Sequence, residues 1–377
     1  MKDIYADAHA TTAVEPSVLE AMLPFYRTHY GNGQHKNGWK AQQALEVART
    51  EVAQCIHASA NDIVFTSGAT ESITTGMLGL AQLYPNKKHI VTQVTEHAAV
   101  LAVVEHLERQ GYAVTRLPVD SNGYIDPIQL QNSIRPNTLL VAIMYANNEI
   151  GTIQPVEVIG KICKQKNTLF FCDLTQALSW TRPEVTKLNI DMACMSAHKM
   201  YGPKGIGALY FNKLKHPIPP LLLGGKQEQG FRSGTANIPG AVGFGKACSL
   251  TTQTQNIIQI KNLRDALYQL IVSNLQDITW NGALNNIHPG NLNIRIAGVH
   301  NQRLIGSLKN IFLSSTSACS GGSDQPSYVL TSIGLDAKAA NECIRIGVGR
   351  FNTESEIEII ANQIIRSVNK IRNKKIH

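Results

Sequence analysis

Charge is what this chain has least of: 16% of its 377 residues are Asp, Glu, Lys or Arg, against roughly 25% in ordinary globular chains. With hydrophobic residues at 43%, that scarcity excludes a disordered or coiled-coil protein and leaves ample apolar surface for a core. No apolar run approaches the ~20 residues of a membrane helix, and the longest, at 138–146, reads as a buried strand. CxxC pairs and Cys/His ligand spacings are missing, so no metal site is expected. Seven cysteines, odd in number and widely spaced, follow a start (Met1-Lys2-Asp3) without a secretory pattern. They read as a reduced, cytoplasmic set. The basic excess of +8 comes with no arginine-rich arm, zinc finger or RNP-type motif, so no direct nucleic-acid partner is expected. There is no internal repeat and no low-complexity segment.

What is present is an alternation of strands and helices. Ile63–Phe65, His89–Thr92, Ala113–Leu117, Leu139–Met144, Leu169–Cys172, Met192–Met195 and Ala208–Phe211 read as strands, with 3.6-residue periodicity between most of them, as at 99–109 and 156–166. Nearly continuous apolar strands alternating with helices predict an α/β fold with a mainly parallel sheet covered on both faces. The close spacing of the last two strands predicts one antiparallel member. After Gly243 the texture changes to a helical run from about Ala247 to Leu275, then short strands at 291–295 and 311–314 and two helical stretches, a smaller α+β domain. The expected division is a large domain over 13–250 and a small one over 251–377 joined by an N-terminal arm, 1–12, with a long helix linking the lobes.

Three pieces carry chemistry. Thr66-Ser67-Gly68-Ala69-Thr70-Glu71-Ser72 follows a strand and opens a helix, where bare backbone N–H groups and the helix dipole make an anion site. It is neither a P-loop nor a dinucleotide fingerprint, and an ordinary capped turn is the alternative. Lys199 stands at the end of a buried strand before Gly202-Pro203-Lys204-Gly205. Burial makes a lysine a usable amine nucleophile; the alternative is a surface lysine just past the strand. Asp173 ends another strand, where a buried carboxylate either meets a cationic partner, such as a protonated pyridine nitrogen, or caps a helix. A phosphate, an aldehyde and a ring nitrogen belong together in pyridoxal phosphate. Thr95-Glu96-His97, at a further strand-to-helix junction, offers an imidazole to stack on the ring, or a structural histidine.

The order and wording of Thr66–Ser72, Thr95-Glu96-His97, Asn147-Asn148-Glu149-Ile150-Gly151, Asp173–Gln176, Ser196–Lys199, Arg232-Ser233-Gly234-Thr235 and Ser317-Ala318-Cys319 resemble the NifS/IscS-type cysteine desulfurases, in the class V branch of the fold-type I pyridoxal-phosphate enzymes. The resemblance runs from about Tyr5 to Ile371. It implies a homodimer that takes sulfur from L-cysteine, releases L-alanine and hands the sulfur to an acceptor protein. By position it implies that Lys199 binds the cofactor and moves protons, that Asp173 pairs with the pyridine nitrogen, and that Gln176 bonds the ring's phenolic oxygen. His97 would stack on the ring and assist proton transfer. Ala69, Thr70, Ser196 and His198 would hold the phosphate, with Thr235 reaching the cofactor of the neighbouring subunit. Asn148 and Arg345 would bind the substrate carboxylate, the arginine through a bidentate fork. Cys319 would take the sulfur as a persulfide.

Cys319 differs from the other cysteines in its neighbours. Ser317, Ala318, Ser320, Gly321, Gly322 and Ser323 are small, the composition of a flexible loop, whereas Cys172 and Cys194 lie in apolar strand patterns and Cys55, Cys163, Cys248 and Cys343 in helix-like stretches. The chain departs from the family at Leu174, expected to crowd the cofactor, and at Ala197 and Lys226. It departs also at His9, where Ser or Ala is common, and in ending at His377 without the extension that helps housekeeping members dock an iron–sulfur scaffold. That shortfall suggests a specialised acceptor pathway, such as tRNA thiolation, DNA phosphorothioation or nitrogenase-type cluster supply. The alternatives are a selenocysteine lyase or other class V enzyme, and a degenerate scaffold without catalysis.

Overall fold

The computed structural model describes residues 3–31, 35–251, 254–315 and 325–373. Cys319 lies outside them. Seven strands form the main sheet, in the spatial order Ile63–Thr66, Gly207–Phe211, Met192–Ser196, Leu169–Asp173, Thr138–Ala142, His89–Gln93, Ala113–Leu117. Only Gly207–Phe211 runs against the rest, the antiparallel member the sequence spacing predicts. The strands at the centre are buried along their whole length, as a sheet covered on both faces requires. One apolar cluster under the sheet holds Val141, Phe170, Cys172, Leu174 and Ala193, and another on the opposite face holds Val64, Leu140, Phe171, Cys194 and Leu209.

A second sheet of four antiparallel strands follows, in the order Ser314–Ser315, Cys343–Gly347, Asn291–Ile296, Ile278–Trp280. Helices Thr254–Val272 and Glu354–Asn373 cover it with Leu263, Leu267, Ile360 and Ile364. The strand Cys343–Gly347 corrects the helical reading of Cys343: the segment is buried at every residue, and that continuous burial overrides any helical periodicity.

The single long helix expected over 247–275 is two helices instead, Ile238–Leu250 and Thr254–Val272. The packing explains the division. Ala241, Phe244, Ala247 and Cys248 belong to the cluster beneath the first sheet, while Ile260, Leu263 and Leu267 belong to the cluster of the second. Glycine lets the first of these helices lie close: a Cβ on Gly245 would stand 2.8 Å from the Cα of Ala48.

The N-terminal arm joins the second sheet's core and then leaves it. Ile4–Tyr5 pairs in parallel with Ile311–Phe312, and Asp7 bridges to Gly347. Beyond that bridge the arm crosses the mouth of the first sheet, with Thr12 N and Thr12 Oγ1 donating to the His198 carbonyl at 2.9 and 3.0 Å.

Candidate active site

Parallel strands deliver their C-terminal ends to one edge, and the crevice outside that edge is where open α/β sheets bind ligands. Here the edge opens on a cavity of about 600 Å³. Ala69, Thr70, His97, Asn148, Asp173, Gln176, Ser196, His198, Lys199 and Arg345 all line it. Residues spread along the chain from 69 to 345 are thus brought together.

The anion turn is built from both sides. Strand Ile63–Thr66 ends in Ser67-Gly68, and helix Ala69–Leu83 begins at once. The first N–H groups of a helix have no intrahelical acceptor, so they and the dipole face the cavity. The turn is braced at its outer side. Glu71 Oε2 accepts from Ser67 N at 2.7 Å and Glu71 Oε1 from Arg232 Nε at 2.9 Å. Burial pushes the Glu71 carboxyl up, but these donors outweigh it and leave the pKa lowered. Gly207 on the adjacent strand makes room. A Cβ there would stand 2.6 Å from the Gly68 Cα and 2.5 Å from the Met195 carbonyl, so only glycine lets the turn settle against the strand.

Lys199 stands in a short 3-10 turn after Met192–Ser196. Its Nζ donates to the carbonyls of His9 and Ala10 at 2.6 and 2.7 Å. Asp173 ends its strand 7% exposed, with Oδ1 accepting from Thr175 N at 2.8 Å. It therefore caps the turn that follows and lines the cavity. His97 caps helix Ala98–Arg109 through Nδ1, which accepts from Ala99 N at 3.1 Å. That bond assigns the proton of the neutral ring to Nε2. Burial lowers the His97 pKa and Lys199 adds to this, against the opposing charge of Asp173. His198 is lowered to about 4 by burial and by the cations Lys199 and Lys204, and its Nδ1 pairs with Thr11 Oγ1 at 3.0 Å. Glu96 lies behind the site with its pKa raised to about 8, by burial against a bond from Met144 N and by the charge of Asp173.

Arg345 lies on the strand Cys343–Gly347 of the second sheet and reaches the cavity from the side. Nη1 donates to the Asn148 carbonyl at 3.0 Å and Nη2 to Asp7 Oδ1 at 2.8 Å, while Nε has no hydrogen-bond partner among the described residues. A buried guanidinium with donor capacity left over suits a carboxylate ligand.

The donor set fits pyridoxal phosphate. An anion turn, an amine and a carboxylate converge on one cavity. Among the described residues no group of His, Cys, Asp or Glu could hold a metal, and no helix is long and apolar enough to cross a membrane.

Thr235, expected at the neighbouring subunit's cofactor, and Leu174 stand apart from this cavity. Thr235 is exposed and lines a separate cavity of about 120 Å³ with Arg232 and Gly234. Leu174, expected to crowd the cofactor, instead lies fully buried in the cluster beneath the sheet and does not line the cavity. Its main chain explains this: Leu174 N donates to the Cys194 carbonyl, which continues the strand alternation and turns Leu174 away from Asp173's face. Ala197 is likewise core, 0% exposed.

Sequence reasoning missed the arm. His9 and Ala10 line the cavity, Asp7 holds Arg345, and Thr11 holds His198. Only the unusual His9 gave a signal. The six cysteines among the described residues are all buried. Burial raises the pKa of Cys163, Cys172 and Cys194 and pushes Cys343 up to about 12. Cys55 is lowered, by a hydrogen bond with Cys248 foremost, but at 1% exposure it meets no substrate.

With the geometry in place, comparison with known proteins is informative. The model of the family described as Aminotransferase class-V matches residues 4–360. Curated cysteine desulfurases named IscS are similar over nearly the full length. The one from Anaeromyxobacter dehalogenans (strain 2CP-C) is 45% identical over 98% of this chain and 93% of its own. That from Rickettsia bellii (strain OSU 85-389) is 44% identical over 98% and 92%. Among solved structures, a NifS-like protein superposes with a TM-score of 0.91 at 35% identity, covering 97% of this chain and 99% of that one. A structure described as SspA in complex with cysteine gives 0.83 at 34% identity, over 93% and 100%.

Proposed function

The chain belongs to the aminotransferase class-V family, and from that premise we propose that it is a pyridoxal-phosphate-dependent cysteine desulfurase. It takes the sulfur of L-cysteine onto Cys319 as a persulfide, releases L-alanine and passes the sulfur to an acceptor protein. The observation that carries this reading is the convergence of Lys199, Asp173, His97, the anion turn and Arg345 on one cavity. The cysteine-bound SspA structure is the neighbour whose description supports the substrate.

Bound in that cavity, the cofactor supplies an electron sink that makes an α-proton removable and a β-sulfur transferable to a nucleophile. The chain's residues do the rest. Helix Ala69–Leu83 receives the phosphate at its N-terminus, with Thr70, Ser196 and His198 adding side-chain donors. His198, neutral above pH 4, gives an N–H rather than a charge. Asp173 holds the proton of a ring nitrogen, and Gln176 donates to the ring oxygen. His97, kept neutral by burial, covers a ring face and carries its proton on Nε2. Lys199 Nζ anchors the cofactor and then moves protons at the substrate carbons. Arg345 and Asn148 orient the substrate carboxylate. Cys319, with small neighbours on both sides, forms the sulfur–sulfur bond. Thr235 belongs to a partner subunit's site in the homodimer. In this reading residues 13–250 form the cofactor domain, with 251–377 and the arm 1–12 as the second.

The test is a spectrum followed by turnover. Wild-type protein absorbs near about 400 nm, as cofactors of this type do when bound through lysine, and releases alanine and sulfide from L-cysteine. Cys319→Ser keeps the band and loses turnover. Brief exposure of wild type to L-cysteine leaves about 32 Da of added mass, one sulfur, on the peptide containing residue 319. A colourless protein that takes up no pyridoxal phosphate, or the label on another cysteine, refutes the reading. Selenocysteine assayed beside cysteine separates a selenocysteine lyase.

A further inference from the structure

We propose that His9 is a positioning residue that clamps the Gln176 amide at two points, leaving the second amide N–H for the ring oxygen of a cofactor bound in the cavity. The proposal rests on the pyridoxal phosphate reading above. A primary amide has one acceptor oxygen and two N–H donors. In the structure Gln176 Nε2 donates one of these to the His9 carbonyl at 3.0 Å, and Gln176 Oε1 meets His9 Nδ1 at 3.3 Å. An amide oxygen only accepts, so Nδ1 carries the imidazole proton.

The main-chain carbonyl alone selects which way the amide faces, and any residue at position 9 supplies it. The second point needs a side-chain donor of imidazole reach, which Ser or Ala lacks. The imidazole is 3% exposed, Gln176 is its side-chain hydrogen-bond partner, and the Gly290 backbone is its other polar neighbour.

The ring cannot swing away. His288 stands edge-on with centroids 4.4 Å apart. His288 is itself held at Nδ1 by Gly290 N at 3.1 Å and at Nε2 by Ser179 Oγ at 3.3 Å. Trp180 packs on His288 at 5.7 Å and donates from Nε1 to the Gln176 carbonyl at 2.8 Å. A closed circuit thus runs from the Gln176 side chain through His9, His288 and Trp180 back to the Gln176 main chain. The charged groups around His9 are cations, Arg345 and Lys199, with His288 on the far side. Burial first, and Arg345 next, lower its pKa to about 3, so the ring stays a single-proton donor throughout the working range.

The experiment titrates the visible band of the purified, cofactor-loaded protein with pH. An N–H given to a phenolic oxygen stabilises its negative charge and loosens its hold on the neighbouring proton, so losing that N–H raises the midpoint. His9→Ser should raise it by about half to one pH unit, the size of one ordinary hydrogen bond. His9→Asn, whose side-chain N–H stands where Nδ1 does, should restore the wild-type midpoint. Gln176→Leu should shift it at least as far, and adding His9→Ser to that variant should add nothing. His9→Phe keeps the ring packing without either nitrogen and reads the same shift if the serine variant does not fold. Equal midpoints in wild type and the Ser and Phe variants overturn the proposal, as does a His9→Ser shift that persists with Gln176→Leu. Wild type that shows no visible band after pyridoxal phosphate is added overturns the cofactor reading itself, and this proposal with it.

Discussion

The two walls of the cavity are made differently. On one side stand the strand-end residues Asp173, Ser196, His97 and Lys199, each fixed by its own strand and the turn after it. On the other lies the arm from Asp7 to Thr12, which has no regular secondary structure of its own past the Asp7 bridge and holds its place through polar contacts. Asp7 takes Arg345, His9 takes Gln176 and Lys199, Thr11 takes His198, and Thr12 takes Tyr201 N at 2.8 Å. A wall secured by the sheet keeps its geometry when one side chain is lost; a wall secured by side chains is loosened. Chemistry and stability therefore separate between them.

Loss of Lys199 gives the largest effect and falls on the sheet side. Lys199→Ala should lose the visible band and all turnover, and in chemical denaturation should cost less than Asp7→Ala although its Nζ holds two arm carbonyls; a larger cost would mean this residue belongs with the arm. Asp7→Ala acts the other way. It leaves the Arg345 guanidinium, 4% exposed at its side chain, without its carboxylate, and breaking a buried pair from one side costs about 3–5 kcal/mol. That is a large part of a total stability of roughly 5–15 kcal/mol. The product, L-alanine, brings a replacement carboxylate, so it should raise the melting temperature of this variant more than that of wild type.

Smaller effects sharpen the contrast. Thr12→Val removes the acceptor for Tyr201 N and should cost about 1–3 kcal/mol, the penalty of a stranded buried donor, measured in urea. The least effect is a slope. His9 is neutral when folded, with its pKa lowered to about 3, but takes a proton near 6.5 when unfolded. Its stabilising share is complete above that pH and is lost as pH falls from about 6.5 toward 3, because the unfolded chain then binds the extra proton. Replacing it by Asn should flatten the fall of stability in that window by at most about 1.4 kcal/mol per pH unit. An unchanged slope would place the imidazole in water.

How much of this was legible follows from the same contrast. The strands of the main sheet were visible because most are buried, nearly continuous apolar runs, and the polar residues that end two of them, Asp173 and Ser196, mark the site edge. The helix break near 251 was not visible, since Ala247 and Ile260 both satisfy a helical period; which core each side chain enters separates them. The strand Cys343–Gly347 was hidden for a related reason, its five residues being buried by partners on both sides rather than by alternation.

The sequence by itself determined the chemical inventory: an anion turn, an amine, a ring carboxylate, an imidazole, an arginine and a cysteine among small neighbours, in an order specific enough to mark a family. Local pattern sufficed there because each group sits beside its own strand or helix start. Only the tertiary structure decided that Leu174 turns into the core, that the arm forms the opposite wall, and that His9 grips Gln176. The arm's contacts with Gln176 and Arg345 join residues 167 and 338 positions apart, and no local periodicity records a partner at that distance. They exist because burial leaves each polar group one place to find its hydrogen bond.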